Sequence, residues 1–127
     1  MRSVLTAISF GGVLGALARY GLGEAFPHWP WTTLVINATG CLLIGVLMVL
    51  VAEVWPARRL LRPFLGTGFL GGYTTFSTYV VDVQRLVSTG RAGVAVAYLA
   101  GTLLSALLAV YLGTVITRWL LRTGARP

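Results

Sequence analysis

Four apolar runs alternate along the chain with short polar gaps. A helix needs about 20 apolar residues to cross the hydrocarbon core of a bilayer. The runs at residues 3–22, 31–52, 63–83 and 92–119 have that length. The gaps at 23–30, 53–62 and 84–91 are short, and Pro27, Pro30, Pro56 and Pro63 mark the breaks. Trp29, Trp31, Trp55 and Trp119 fall near the predicted span ends, where amphipathic indoles favour the interface. The pattern predicts an all-α integral membrane protein with four transmembrane helices in a single domain over residues 1–127. The first run follows Arg2 directly and is read as a retained span rather than a cleaved leader.

Within the spans, small residues recur every fourth position. Gly93, Ala97, Gly101, Ser105, Ala109 and Gly113 form a stripe on the fourth run. Shorter versions are Ser3, Ala7, Gly11 and Gly15 on the first run, and Thr33, Asn37, Cys41 and Gly45 on the second. Such stripes let helix backbones approach closely in lipid, where no hydrophobic effect drives helices together. They predict a compact, oligomeric bundle.

Composition sharpens the class. Hydrophobic residues make up 57% and charged residues 10%, too few charges to clothe a soluble domain of this length. The net charge is +7, and every basic residue is arginine or the one histidine, His28. The arginines lie at span ends and in the gaps rather than on one polar face, so nucleic acid is not the expected partner. Even-numbered spans place both termini on one side. That side holds Arg2, Arg58, Arg59, Arg62, Arg118, Arg122 and Arg126, against Arg19, Arg85 and Arg91 on the other. The positive-inside rule makes the termini cytoplasmic. Cys41 is the lone cysteine and forms no internal disulfide. Glu24, Glu53 and Asp82 all sit near span ends. No His/Cys cluster, Ser/His/Asp set or paired intramembrane carboxylates can be assembled, so an enzyme is not expected.

The third run carries the candidate chemistry. Residues 66–79 hold four glycines and five Ser/Thr residues in the middle of an apolar span. Adjacent glycines weaken a helix, and unwound backbone at membrane depth survives only where protein or a polar cavity satisfies it. Such breaks offer carbonyls to cations and N–H groups to anions. A break near Gly71–Thr75 is therefore either an ion site or a glycine-rich helix crossing. Phe76 and Tyr79, three apart, share a face. Their positive ring edges can meet a small anion, or the rings simply pack. Asn37, midway along the second run, either donates to an anion or bonds a neighbouring helix. Thr102 and Ser105 add hydroxyls on the fourth run that can also satisfy their own helix. Arg19 either snorkels to the interface or holds an anion at a vestibule.

These residues fall into three motifs. Gly11-Gly12-Val13-Leu14-Gly15-Ala16-Leu17-Ala18-Arg19-Tyr20, Thr33-Leu34-Val35-Ile36-Asn37-Ala38-Thr39-Gly40 and Gly68-Phe69-Leu70-Gly71-Gly72-Tyr73-Thr74-Thr75-Phe76-Ser77-Thr78 occur in order. Together they resemble the Fluc, or CrcB, family of fluoride channels over nearly the whole chain. The resemblance implies a passive, fluoride-selective channel of the bacterial inner membrane that relieves fluoride toxicity. It implies an antiparallel, dual-topology dimer with a second four-span subunit, and a structural Na+ at its centre held by the Gly71 and Thr74 carbonyls. It maps the fluoride path onto Asn37, Phe76 and Tyr79, with Thr102 and Ser105 as a hydroxyl track, and matches Arg19 to the family's first-span arginine. Two other readings remain at this point: a small multidrug-type exporter, which needs a deep carboxylate, and a non-transporting helical accessory subunit, which leaves the third-run motif unexplained.

Two features depart from the family pattern. Tyr79 stands where phenylalanine is usual, adding a hydroxyl to the ring. The arginine bias is also larger than a chain inserting both ways should carry. It predicts that this chain is the termini-inside member of an oppositely oriented pair. A C-terminal tag mapped in the host membrane is expected on the cytoplasmic face only; equal exposure on both faces contradicts the reading.

Overall fold

The computed structural model describes residues 1–28 and 30–124; Trp29 and Arg126, named above as an interfacial anchor and a cytoplasmic charge, lie outside the described residues. Helix α1 spans Arg2–Ala25 and α2 spans Trp31–Val49, continuing as a wider π-helical turn over Leu50–Val54. The third span is composite. A π-helical stretch, Arg62–Leu70, leads into a single α-turn, Gly71–Tyr73; together these are α3. The chain then leaves helical geometry and resumes as α4 over Ser77–Ser88. Helix α5 covers Ala92–Gly124.

Among the described residues, α1, the α2 segment to Val54 and α5 are each long and apolar enough to cross a membrane unaided. The third span is broken into two pieces. The outer surface is apolar: Phe10, Leu17, Val96, Leu103, Leu104 and Leu107 are all more than half exposed. In water this would be an aggregating surface; in lipid it is the solvent-matched one. The protein is a multi-pass membrane protein.

Most expected span ends lie within a few residues of the helix ends, but two helices run well past them. Helix α4 continues to Ser88 because no residue stops it earlier. Gly90, at φ +74°, then closes it in the left-handed conformation that glycine tolerates best. The Arg91 N–H reaches back to the Leu86 carbonyl at 2.8 Å, completing that cap. Helix α5 likewise extends to Gly124.

Two helix pairs form the bundle: α1 with α3, and α2 with α5, while α4 leans on α5. The glycine stripes explain the first pair. A Cβ on Gly11 would collide with the Phe64 carbonyl, one on Gly15 with the Phe69 carbonyl, and one on Gly72 with the Gly12 carbonyl. The backbones of α1 and α3 are therefore in direct contact. On the second pair, Gly45 meets the Val110 carbonyl and Gly113 meets the Leu42 carbonyl in the same way.

The fourth-span stripe does not act as one surface. Only its Gly113 end packs within the chain. A Cβ on Gly93 or Gly101 would meet nothing beyond its own helix within 4 Å among the described residues. The face α5 buries is instead Ala95, Tyr98, Thr102, Gly113 and Thr117. Leu86, Ala95 and Tyr98 form its core, with Leu34, Tyr79 and Val83 packed around them.

The α1–α3 contact gives a direct test. Gly15→Val is expected to destabilise the protein by about 1–3 kcal/mol through overpacking, read as a lower unfolding temperature in detergent. Gly21→Ala, with nothing within 4 Å of the added carbon, should leave stability unchanged or slightly raised.

Candidate functional site

The interruption lies at residues 74–76, where Thr74 adopts an extended conformation with φ −77° and ψ 156°. It falls just after the glycine pair rather than on it. Gly71 and Gly72 stay helical, and Gly72 serves the crossing with α1. A side chain from another helix holds the chain open. The Thr75 N–H donates to Asn37 Oδ1 at 2.8 Å, and Asn37 Nδ2 donates to the Thr75 carbonyl at 2.9 Å. Asn37 is 9% exposed, so this two-point contact is made in a low-dielectric interior.

The contact changes which carbonyls are available. In a continuous helix the Thr75 N–H would bond to the Gly71 carbonyl four residues back. Here Asn37 takes it. Similarly, the Thr78 N–H donates to Thr75 Oγ1 at 3.2 Å instead of to the Thr74 carbonyl. Two neighbouring acceptors are occupied: Leu70 receives both the N–H and the hydroxyl of Thr74, at 3.0 and 2.9 Å. Gly72 receives Arg19 Nε at 3.1 Å. Gly71 and Thr74 are thus left with carbonyls free of helical donors at the C-terminal, partially negative end of α3.

Arg19 consequently sits on the break. Its guanidinium is half-buried and satisfies one of the carbonyls that the end of α3 exposes. Beside the two roles the sequence leaves open, snorkelling and a vestibule, the structure adds this contact to the α3 end.

A pocket of about 500 Å³ lies beside the break, between α2, α4 and α5. Asn37, Cys41, Thr75, Phe76, Tyr79 and Thr102 are on its wall. The structure therefore brings four of the five expected path residues to one cavity. Ser105 is the exception: it is not on that wall, and its hydroxyl donates to the Thr102 carbonyl at 3.0 Å. Thr102 Oγ1 is fully buried and has no hydrogen-bond partner within the described residues. Phe76 projects outward and is 77% exposed, with its ring 5.8 Å from that of Tyr79.

The hydroxyl that distinguishes Tyr79 from phenylalanine is committed. It donates to the Leu99 carbonyl on α5 at 2.8 Å. The ring edge is what remains for the pocket.

One feature was not recognised from the sequence. Asp82, read there as a span-end carboxylate, is only 2% exposed. It packs between α4 and α5 and accepts the Tyr98 hydroxyl at 3.3 Å. The available signal was its spacing, three residues beyond Tyr79 and four before Leu86, on the face that meets α5. Among the described residues no group of His, Cys, Asp and Glu side chains could hold a metal ion. The oxygens at the break are backbone carbonyls, hydroxyls and the Asn37 amide.

An unwound, donor-depleted segment inside a bundle of apolar helices, next to an apolar cavity with a few hydrogen-bonding groups, is the kind of helix break at which membrane transport proteins bind ions. The family comparison is more specific. The model described as CrcB-like protein, Camphor Resistance (CrcB), matches residues 6–114. The chain belongs to the CrcB family. A protein of Nocardia farcinica named fluoride-specific ion channel FluC 2 is 54% identical over 127 residues, covering 97% of this chain and 89% of the relative. One of Streptomyces coelicolor, named fluoride-specific ion channel FluC 1, is 50% identical over 94% of this chain and 80% of its own length. One of Streptomyces avermitilis, named fluoride-specific ion channel FluC 2, is 52% identical over 79% of this chain and 66% of its own length.

The Arg19 contact is directly testable. Arg19→Met removes the donor and leaves the Gly72 carbonyl unsatisfied, so it should cost about 1–3 kcal/mol, seen as a lower unfolding temperature. Arg19→Lys, which keeps a donor, should recover part of the loss. Wild-type stability in Arg19→Met would show that the contact contributes nothing.

Proposed function

We propose that this chain is a subunit of a fluoride-selective channel through which fluoride leaves the bacterial cytoplasm passively across the inner membrane. The observation that carries the reading is the convergence of Asn37, Phe76, Tyr79 and Thr102 on one pocket beside a helix break, in a chain whose relatives are named fluoride-specific ion channels.

The chemistry follows from what fluoride requires. A small, strongly hydrated anion enters a narrow path only where donors replace its water. Asn37 has a second N–H beyond the one given to Thr75, and the Thr102 hydroxyl meets no hydrogen-bond partner at bonding geometry among the described residues. The edges of Phe76 and Tyr79 carry partial positive charge and add no fixed cation to trap the ion. Fluoride enters acidified cells as neutral HF, dissociates, and is held inside as the anion. A selective pore lets it leave down its electrochemical gradient with no coupled energy source.

The channel is a dimer of oppositely oriented four-span subunits. The 77% exposure of Phe76 and the open faces at Gly93 and Gly101 support a partner covering those surfaces. The Gly71 and Thr74 carbonyls are suited to a hard cation, which takes oxygen ligands. In this reading they supply one chain's share of a structural Na+ site, and the partner subunit supplies the rest. The bound ion would add positive charge at the break and join the two chains. The partner is a second copy or an oppositely biased paralogue; the arginine excess favours the paralogue. Arg118 and Glu53, 3.0 Å apart, link the ends of α2 and α5 on the arginine-rich side.

The buried Asp82 is the feature an exporter reading would use. It is bonded to Tyr98 in a packed core rather than placed on the pocket wall, so the channel reading stands over that of a proton-coupled exporter.

Fluoride efflux from liposomes tests the proposal, with the chain reconstituted alone and with an oppositely oriented paralogue, and with chloride as control. Fast fluoride release without chloride release is expected. Phe76→Ile should reduce it to the rate of protein-free vesicles. Tyr79→Phe should still conduct, because the tyrosine hydroxyl is spent on Leu99 and not on the ion. Equal release of both anions, or none in either arrangement, contradicts the proposal.

A further inference from the structure

We infer that Asn37 is a positioning residue for the cation site as well as a donor on the anion path, so that one amide sets both. This rests on the channel reading above and adds to it a physical link between the two ions.

The link is a competition for one hydrogen. The Thr75 N–H has a single proton, and a helix would direct it to the Gly71 carbonyl. Asn37 Oδ1 holds it at 2.8 Å, while Asn37 Nδ2 holds the Thr75 carbonyl at 2.9 Å. Together the two bonds dock residue 75 against α2 and keep Thr74 extended. Residue 75 then turns its own hydroxyl to the Thr78 N–H at 3.2 Å, which releases the Thr74 carbonyl. Both oxygens suited to the cation are therefore freed by the placement of one residue, and Asn37 imposes that placement. Of the two carbonyls between them, Arg19 fills the one at Gly72. The break thus offers a small set of oxygens that includes Gly71 and Thr74.

Asn37 also lines the pocket with Phe76, Tyr79 and Thr102, and its second amide N–H is the donor this reading gives to the anion. Without Asn37, the Thr75 N–H is free to return to the Gly71 carbonyl. Buried backbone groups in lipid take whatever partner is in reach. The helix then repairs itself across the break, and a cation must compete with an internal hydrogen bond.

The test is thermal unfolding of the purified full chain against NaCl concentration, with N-methylglucamine chloride as replacement, alongside liposome efflux. Wild type should be stabilised by Na+. Asn37→Leu, close in size but without hydrogen bonds, should raise the Na+ midpoint by at least about tenfold, the effect of one carbonyl drawn back into a helical bond. Asn37→Asp gives up the donor to the Thr75 carbonyl but keeps the acceptor for the Thr75 N–H, the bond that frees the Gly71 carbonyl, and adds a negative charge that favours a nearby cation. It should keep the Na+ midpoint at or below the wild-type value while losing fluoride efflux to charge repulsion. Phe76→Ile should lose efflux and keep the Na+ response. A wild-type midpoint in Asn37→Leu, or a loss in Asn37→Asp, overturns the inference. If Asn37→Leu does not fold, Asn37→Asp decides it alone. Fluoride conduction by a wild type indifferent to Na+ would remove the cation site and this inference with it, while leaving the channel reading intact.

Discussion

A backbone N–H or carbonyl inside a bilayer must find a partner within the protein, and the arrangement around the third span follows from that requirement. Leaving helical geometry at residues 74–76 strands several backbone groups at once. In water the solvent would satisfy them. Here Asn37 takes both the N–H and the carbonyl of Thr75, Thr75 takes the N–H of Thr78, and Arg19 takes the carbonyl of Gly72. What stays unsatisfied is correspondingly specific, and it is there that an ion can be recognised.

The same constraint explains the bundle around the break. A side chain as short as that of asparagine reaches backbone on another helix only if the helices are close. Backbone contact at Gly11, Gly15 and Gly72 presses α1 onto α3, the reciprocal contacts of Gly45 and Gly113 press α2 onto α5, and Gly40, where a Cβ would collide with the Thr74 side chain, lets α2 come up to the break. Packing at this distance is how helices associate in lipid, where apolar side chains gain little by leaving one hydrocarbon for another. The glycines and the polar contacts are thus parts of one device. The first group sets the approach, and the second uses it to hold a segment that no isolated helix would keep open.

Much of this was legible in the sequence. The spans follow from run length, because the bilayer thickness is a fixed ruler. The break could be expected within a few residues, because glycines and threonines in an apolar run are a local signal. Its cause was not legible. The glycine pair looks like the point of failure, yet Gly71 and Gly72 remain helical, and the opening is imposed by a residue more than thirty positions away. Arg19 was ambiguous for the same reason, since its acceptor is defined only when α1 and α3 cross. The hydroxyl of Tyr79 looked like a change to the path, but α5 absorbs it at Leu99. Asp82 read as a span-end charge because periodicity reports a face and not what covers it. The stripe on α5 carried the converse error: its spacing is regular, but Gly93 and Gly101 face nothing in the chain.

An amide from α2 holds the third span open, and one distance tests this. Asn37 is the only asparagine in the chain, so labelling asparagine with 13C at Cγ marks a single site. Rotational-echo solid-state NMR in lipid bilayers, with 15N-threonine, then reports whether a threonine amide nitrogen lies within hydrogen-bonding range of that carbon. The account predicts strong dephasing from one threonine amide, abolished in Thr75→Ser labelled only at threonine. An absence of dephasing in wild type, with the residue 75 nitrogen instead coupled to 13C-labelled glycine carbonyl as in a continuous helix, would contradict it.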